Sequence, residues 1–188
     1  MVSETQAAKT TVSALLDAVN AAFADSFTLP DGFLLHAYNH AAGTLALLDP
    51  AADSQKTVTA ANGVITTGLV PAQYRRVFFG DAECLRGSDT LCTLLPDFPI
   101  YAPHEDGTAA VTQSGDYTVH FRALPTPVTA ETAATAAIAA GARALPWLRA
   151  VLFACVYRHI GDTDAAAACD ADAARTLAAY LAECGVRP

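Results

Sequence analysis

The sequence predicts an α+β protein, a single domain over residues 1–188 with a twisted antiparallel sheet of about six to seven strands and N-terminal and C-terminal helices packed on it. Three observations predict this class. Apolar residues recur at helical spacing near both ends of the chain, short segments rich in β-branched and aromatic residues fill the middle, and Gly, Pro and Asn separate those segments. A chain of this length buries roughly 70% of the surface its unfolded form exposes, and 53% hydrophobic against 16% charged residues is the composition of a folded chain.

The first helix is expected from Ser3 to about Asp25, with Val12, Leu15, Leu16, Val19, Ala22 and Phe23 on one face and Ser3 and Gln6 in capping-box register. Leu29-Pro30-Asp31-Gly32 is turn chemistry, after which Phe33–Tyr38, Thr44–Leu48, Lys56–Ala61 and Val64–Val70 read as strands. Asn62-Gly63 joins the last two as a two-residue hairpin, because both residues tolerate positive φ. Tyr74–Phe79 and Leu91–Leu95 are further strand candidates, separated by a polar loop containing Gly80, Gly87 and Ser88. Pro96, Pro99 and Pro103 place the extended stretch around Phe98–Tyr101 at a sheet edge, since proline cannot donate to a ladder.

A strand around Ala109–Thr112 turns at Ser114-Gly115 into Tyr117–Leu124, where apolar and polar residues alternate as in a half-buried strand. Pro125-Thr126-Pro127 closes the sheet region. Thr129 is placed to cap an Ala-rich helix over 130–144, although the same composition suits a linker, and Leu148–Tyr157 fits either a last strand or a buried helix. The segment Asp162–Cys184 is a helix with Cys169, Ala173, Leu177, Tyr180, Leu181 and Cys184 on one face, stopped by Gly185.

The net charge of −8, with nine Arg, two Lys and no basic cluster larger than Arg75-Arg76, excludes direct nucleic-acid binding as a primary function and favours a basic protein partner over an acidic one. Five cysteines without a C-x-x-C pair point to a reducing compartment. The N-terminal residues lack the cationic and apolar stretches of a signal peptide, and no run is apolar enough to span a bilayer, so an intracellular protein without a membrane association is expected.

Chemistry-bearing residues are few. Cys84, in the loop Gly80–Gly87, is the candidate nucleophile: Arg86 lowers its pKa, Glu83 raises it, and His104 or His120 serves as base if the fold brings either close. His36 and His40 are four apart, but on a strand they would stand roughly 13 Å from each other, too far to share an ion, so no metal site is expected. His104-Glu105-Asp106-Gly107 reads as a surface turn. Asp162, Asp164, Asp170 and Asp172 complement the start of the last helix and form a candidate acidic binding patch. Phosphate-binding loops, dinucleotide fingerprints, nucleophile elbows and zinc-protease motifs are absent from the sequence, and no cofactor is expected.

The run from Thr176 to Val186, with Tyr180-Leu181 followed by Glu183 and Gly185-Val186, resembles a helix of the MAM33/p32 family of mitochondrial acidic matrix proteins that ends in Tyr-Leu, an acidic residue and Gly-Ile/Val. Gly32–Leu35, Thr44–Leu48 and Thr57-Val58 are similar to its first strands, and Phe98–Ile100 with Tyr117–Phe121 to its central hairpin. The chain departs from that family in its short acidic loops and in Tyr157-Arg158-His159-Ile160-Gly161, where the family has Tyr-x-Gly-Pro. The resemblance implies a trimeric ring with a non-enzymatic, chaperone-like binding role in the mitochondrial matrix; without it, a cytoplasmic location is expected. The function expected is thus that of a non-enzymatic acidic binding or assembly protein, homo-oligomeric, with two alternatives: a Cys84-dependent enzyme, or a small-ligand binder with an apolar cavity between sheet and helices.

Overall fold

Thr11 opens the first helix, α1 (Val12–Ala21), by accepting a hydrogen bond from Ala14 N at 3.3 Å, and Val12, Leu15 and Val19 bury the face that the spacing predicts. The computed structural model describes residues 11–186, so the expected Ser3/Gln6 capping box lies outside the described residues. The protein is α+β, with antiparallel sheets between N-terminal and C-terminal helices. It divides into two compact units: a helical one from residues 1–49 and 125–188, and a sheet unit from Pro50 to Leu124.

In the helical unit α1 is joined by α2 (Phe33–Leu48), α4 (Leu145–Ile160) and α5 (Thr163–Glu183). The strands expected at Phe33–Tyr38 and Thr44–Leu48 are one helix, α2. Leu34, Tyr38, Ala41, Ala42 and Leu45 are its buried residues, a helical period that two short apolar runs around Gly43 conceal. Leu148–Tyr157, open between strand and helix, is helical. Its burial alternates over residues 147–157 because α1, α2 and α5 all pack around α4, which erases the one-sided pattern of a surface helix. Gly161, at φ 80°, ends α4 and lets Asp162 cap α5.

Residues 130–144 form neither a continuous helix nor a free linker. Successive turns from Thr129 lead to a short 3₁₀ turn at Gly141–Ala144, and the carbonyls of Ala133 and Ala136 receive the N–H groups of Ser13 and Val12 at 3.0 Å. They thereby satisfy donors that every helix start leaves without an intrahelical partner. Asn39 fixes the same return segment by exchanging two 2.8 Å hydrogen bonds with the Val128 backbone. On the opposite helix, Tyr180 donates its hydroxyl to Asp49 in a buried pair at the end of α2. Phe23, Leu148, Leu152, Val156 and Tyr180 belong to one core, and the apolar faces of both terminal helices are covered there, within the chain.

The sheet unit contains two four-stranded sheets where one was expected. The first has the order β1 (Asp53–Thr59), β8 (Asp116–Arg122), β3 (Tyr74–Phe79), β4 (Ala82–Glu83). In the second the order is β2 (Val64–Thr66), β7 (Thr108–Val111), β6 (Ile100–Pro103), β5 (Leu85–Arg86), and only β5 and β6 run parallel. Asn62 and Gly63, at φ 53° and 74°, make the expected tight turn. It carries the chain from one sheet to the other, with a single bridge between Ala61 and Val64.

Phe98–Tyr101 does not form a sheet edge: β6 lies between β7 and β5, and the prolines fall at its ends, where Pro99 O still accepts from Leu85 N at 2.7 Å. Leu91–Leu95 is not a strand but belongs to the short helix α3 (Asp89–Leu94), which Ser88 caps by accepting from Leu91 N. The loop after β2 leans on Gly107, whose carbonyl accepts from Thr67 N and Gly68 N at 2.9 and 2.7 Å. A Cβ at Gly107 would stand 2.8 Å from Gly68 Cα, and its φ is 84°. Ile65, Val77, Tyr117 and Val119 from both sheets share one core with Tyr74 and Tyr101.

Gly107→Ala is expected to destabilise the protein by about 2 kcal/mol or more, through positive-φ strain and the clash with Gly68. Tyr180→Phe removes the buried donor to Asp49 and is expected to cost roughly 1–3 kcal/mol. Urea unfolding followed by circular dichroism measures both, and a loss below about 0.5 kcal/mol in either variant would show that the contact concerned is dispensable.

Candidate functional site

Strand β3 reads Tyr74-Arg75-Arg76-Val77, with two consecutive polar residues where alternation allows one. Its pairing with β8 explains the pattern: Tyr74 faces Phe121 and Arg76 faces His120, so Arg75 is an extra residue in a β-bulge. A bulge re-aims side chains, and here Arg75 and Arg76 are both exposed between the buried Tyr74 and Val77. Both line a cavity of about 480 Å³ on the sheet unit, together with Arg86 from β5, Glu83, Leu85 and Tyr101.

Each arginine has a defined setting. Arg86 Nη2 donates to Pro71 O at 3.1 Å, and Arg76 Nε pairs with Glu83 at 3.2 Å. Arg75 has its pKa lowered, first by burial and then by the nearby Arg122, while Asp53 opposes the shift; Arg122 is itself ion-paired to Asp53. Tyr101 stacks on Tyr74 with ring centroids 5.8 Å apart, and both rings are buried in the core beneath the cavity.

Cys84 lies at this cavity but in an environment opposite to that of a nucleophile. It is the single residue between β4 and β5, not part of a solvated loop, and is only 6% exposed. Burial pushes the thiol up to about 11, with Glu83 adding to the effect and a hydrogen bond with the Phe79 backbone opposing it. His104 is held by Thr108 at 3.0 Å and by Asp89 at 2.8 Å, while His120 packs edge-on against Phe78. The His104–Gly107 segment is the surface turn expected, with Asp106 accepting from Thr108 N and Oγ1.

In the helical unit, the revised assignment of α2 changes the geometry of His36 and His40. Four residues along a helix are one turn, about 6 Å of rise, and both imidazoles line a cavity of about 540 Å³ with Phe33, Cys155 and His159. His159 lies against the Phe33 ring at 4.8 Å. Among the described residues no three His, Cys, Asp or Glu side chains form a metal-binding group. The four aspartates of the expected acidic patch have local roles: Asp162 caps α5 by accepting from Ala165 N at 3.0 Å, Asp164 sits in the first turn, and Asp170 and Asp172 pair with Arg158 and Arg175.

A further exposed feature, with little signature in the local residue pattern, is apolar. Leu85, Leu94 and Phe98 are 64%, 68% and 62% exposed, and Leu91 and Leu95 adjoin them. All five flank α3 and the β5–β6 edge, where Leu95 N bonds Leu91 O, Phe98 N bonds Leu95 O, and Leu85 N bonds Pro99 O. No protein-family model matches the chain, and a search of curated proteins finds no relative.

A thiol with a raised folded-state pKa favours folding while it is protonated. Its contribution is full below the reference value of 9.0 and is lost as pH rises through about 11. The thermal unfolding midpoint is therefore expected to fall between those pH values, and to fall less in Cys84→Ala. An equal fall in both proteins would remove Cys84 as a source of the alkaline sensitivity.

Proposed function

We propose that the chain is a non-enzymatic binding and assembly protein that self-associates through the apolar face formed by Leu85, Leu91, Leu94, Leu95 and Phe98. The observation that carries this reading is the exposure of five large apolar side chains within fourteen residues, beside an edge strand, on a chain whose terminal helices already cover their own apolar faces. Exposed apolar patches of this kind mark interaction sites.

A second copy of the chain is the occupant that the surrounding charges favour. The face carries both signs, with Arg86 beside Leu85 and with Asp89 and Asp97 flanking the helix, so a twofold arrangement sets cation against anion from either copy. Burying Leu85, Leu94 and Phe98 from two copies contributes on the order of 10 kcal/mol before the cost of association. The protonated, buried Cys84 thiol supports a non-catalytic role for the neighbouring cavity.

Sedimentation velocity from about 1 to 100 µM is expected to show the wild-type mass rising with concentration, while Leu94→Glu and Phe98→Glu stay monomeric. A wild-type monomer at the highest concentration overturns the proposal. A trimer that is dispersed by either variant would favour the MAM33/p32 resemblance over a twofold dimer.

A further inference from the structure

We propose that the cavity lined by Arg75, Arg76 and Arg86 binds a small phosphate-bearing molecule and recognises it through the phosphate dianion. Arg75, Arg76 and Arg86 line the cavity with Glu83 as the one carboxylate among the lining residues and Asp53 near Arg75, on a chain whose overall charge is −8. Such a concentration of cations runs against the composition of the chain, and it arises from a specific backbone device. Without the bulge at Arg75, strand alternation would send Arg75 and Arg76 to opposite faces of β3.

The donors are also held in place before a ligand arrives. Arg86 is tethered by Pro71 O and Arg76 by Glu83, so less side-chain freedom is lost on binding than with untethered arginines.

The geometry selects among anions. Guanidinium groups pair bidentately with both carboxylate and phosphate oxygens. A lone carboxylate is planar and carries one charge, whereas a phosphate monoester presents three oxygens and, above its second pKa of about 6, approaches two charges. Arginines reaching in from β3 and from β5 approach from two strands, which suits the tetrahedral group. A cavity of about 480 Å³ has room beyond the phosphate, and the exposed Leu85 side chain offers that part of the ligand an apolar surface. Nucleic acid is disfavoured, because it needs a longer track of cations than three arginines supply.

The site does not depend on self-association, although Leu85 and Arg86 belong to both surfaces. Isothermal titration calorimetry at pH 7.5 and constant ionic strength, with inorganic phosphate and phenyl phosphate as probes, is therefore run on the wild type and on Leu94→Glu. Saturable binding with one site per chain is expected in both proteins, with phenyl phosphate the tighter ligand. Arg75→Gln and Arg86→Gln are each expected to weaken binding about tenfold or more, and Arg149→Gln, on α4, to leave it unchanged. Glu83→Gln is expected to tighten binding, because the amide oxygen still accepts from Arg76 while the competing negative charge is gone, a gain that a damaged fold cannot mimic. The proposal is overturned by the absence of saturable binding, by an Arg86→Gln affinity equal to that of the wild type, or by a Glu83→Gln variant that binds no better.

Discussion

The pairing of β1 with β8 is the constraint on which the rest of the chain depends. These are the first and last long strands of the sheet unit, and their register runs from Asp53 opposite Arg122 to Thr59 opposite Asp116. The chain therefore leaves the helical unit and comes back at neighbouring points, a closure extended by the 2.8 Å bond from Ala123 N to Ala52 O and by the Asp53–Arg122 ion pair. A core assembled from residues 1–49 and 125–188 needs such a closure, because its two halves are separated by 75 residues of sequence. Once β1 and β8 are paired, the length of the excursion matters little: each doubling of a loop costs only about 0.6 kcal/mol.

The returning chain is then fixed to the helical unit by contacts of high sequence separation. Asn39 holds the Val128 backbone in both directions, the Tyr38 hydroxyl accepts from Ala139 N at 2.9 Å, and the carbonyls of Ala133 and Ala136 complete the start of α1. These bonds explain why an alanine-rich stretch of high helix propensity is not one helix. Its carbonyls have partners on α1, and continuing the helix would forfeit them.

Both proposed sites rest on small departures from regularity within the sheet unit. One extra residue in β3 brings two arginines to one cavity, and a two-residue strand, β5, adds the third. A one-and-a-half-turn helix, α3, replaces what alternation suggests is another strand and turns Leu91 and Leu94 outward. Each device is short, and each places side chains where an ideal strand would not.

Periodicity and turn chemistry made much of the architecture legible. The α+β class, the α1 face of Val12, Leu15 and Val19, the helix beginning at Asp162 with its stop at Gly185, the Asn62-Gly63 turn and strands β3, β7 and β8 all follow from local pattern, because each is decided by residues close in sequence. Of the candidate site, the sequence showed the Arg75-Arg76 pair but treated Arg86 only as a neighbour of Cys84. What tertiary structure alone decided were the elements whose burial is many-sided or whose partners are remote: α2 and α4, where surrounding helices erase the helical period; the division of the strands into two sheets; and the depth of Cys84, which turns a possible nucleophile into a packed, protonated thiol. The physical reason is the same in each case. A local pattern records which side of one segment meets the core, and it cannot record how many other segments will surround it.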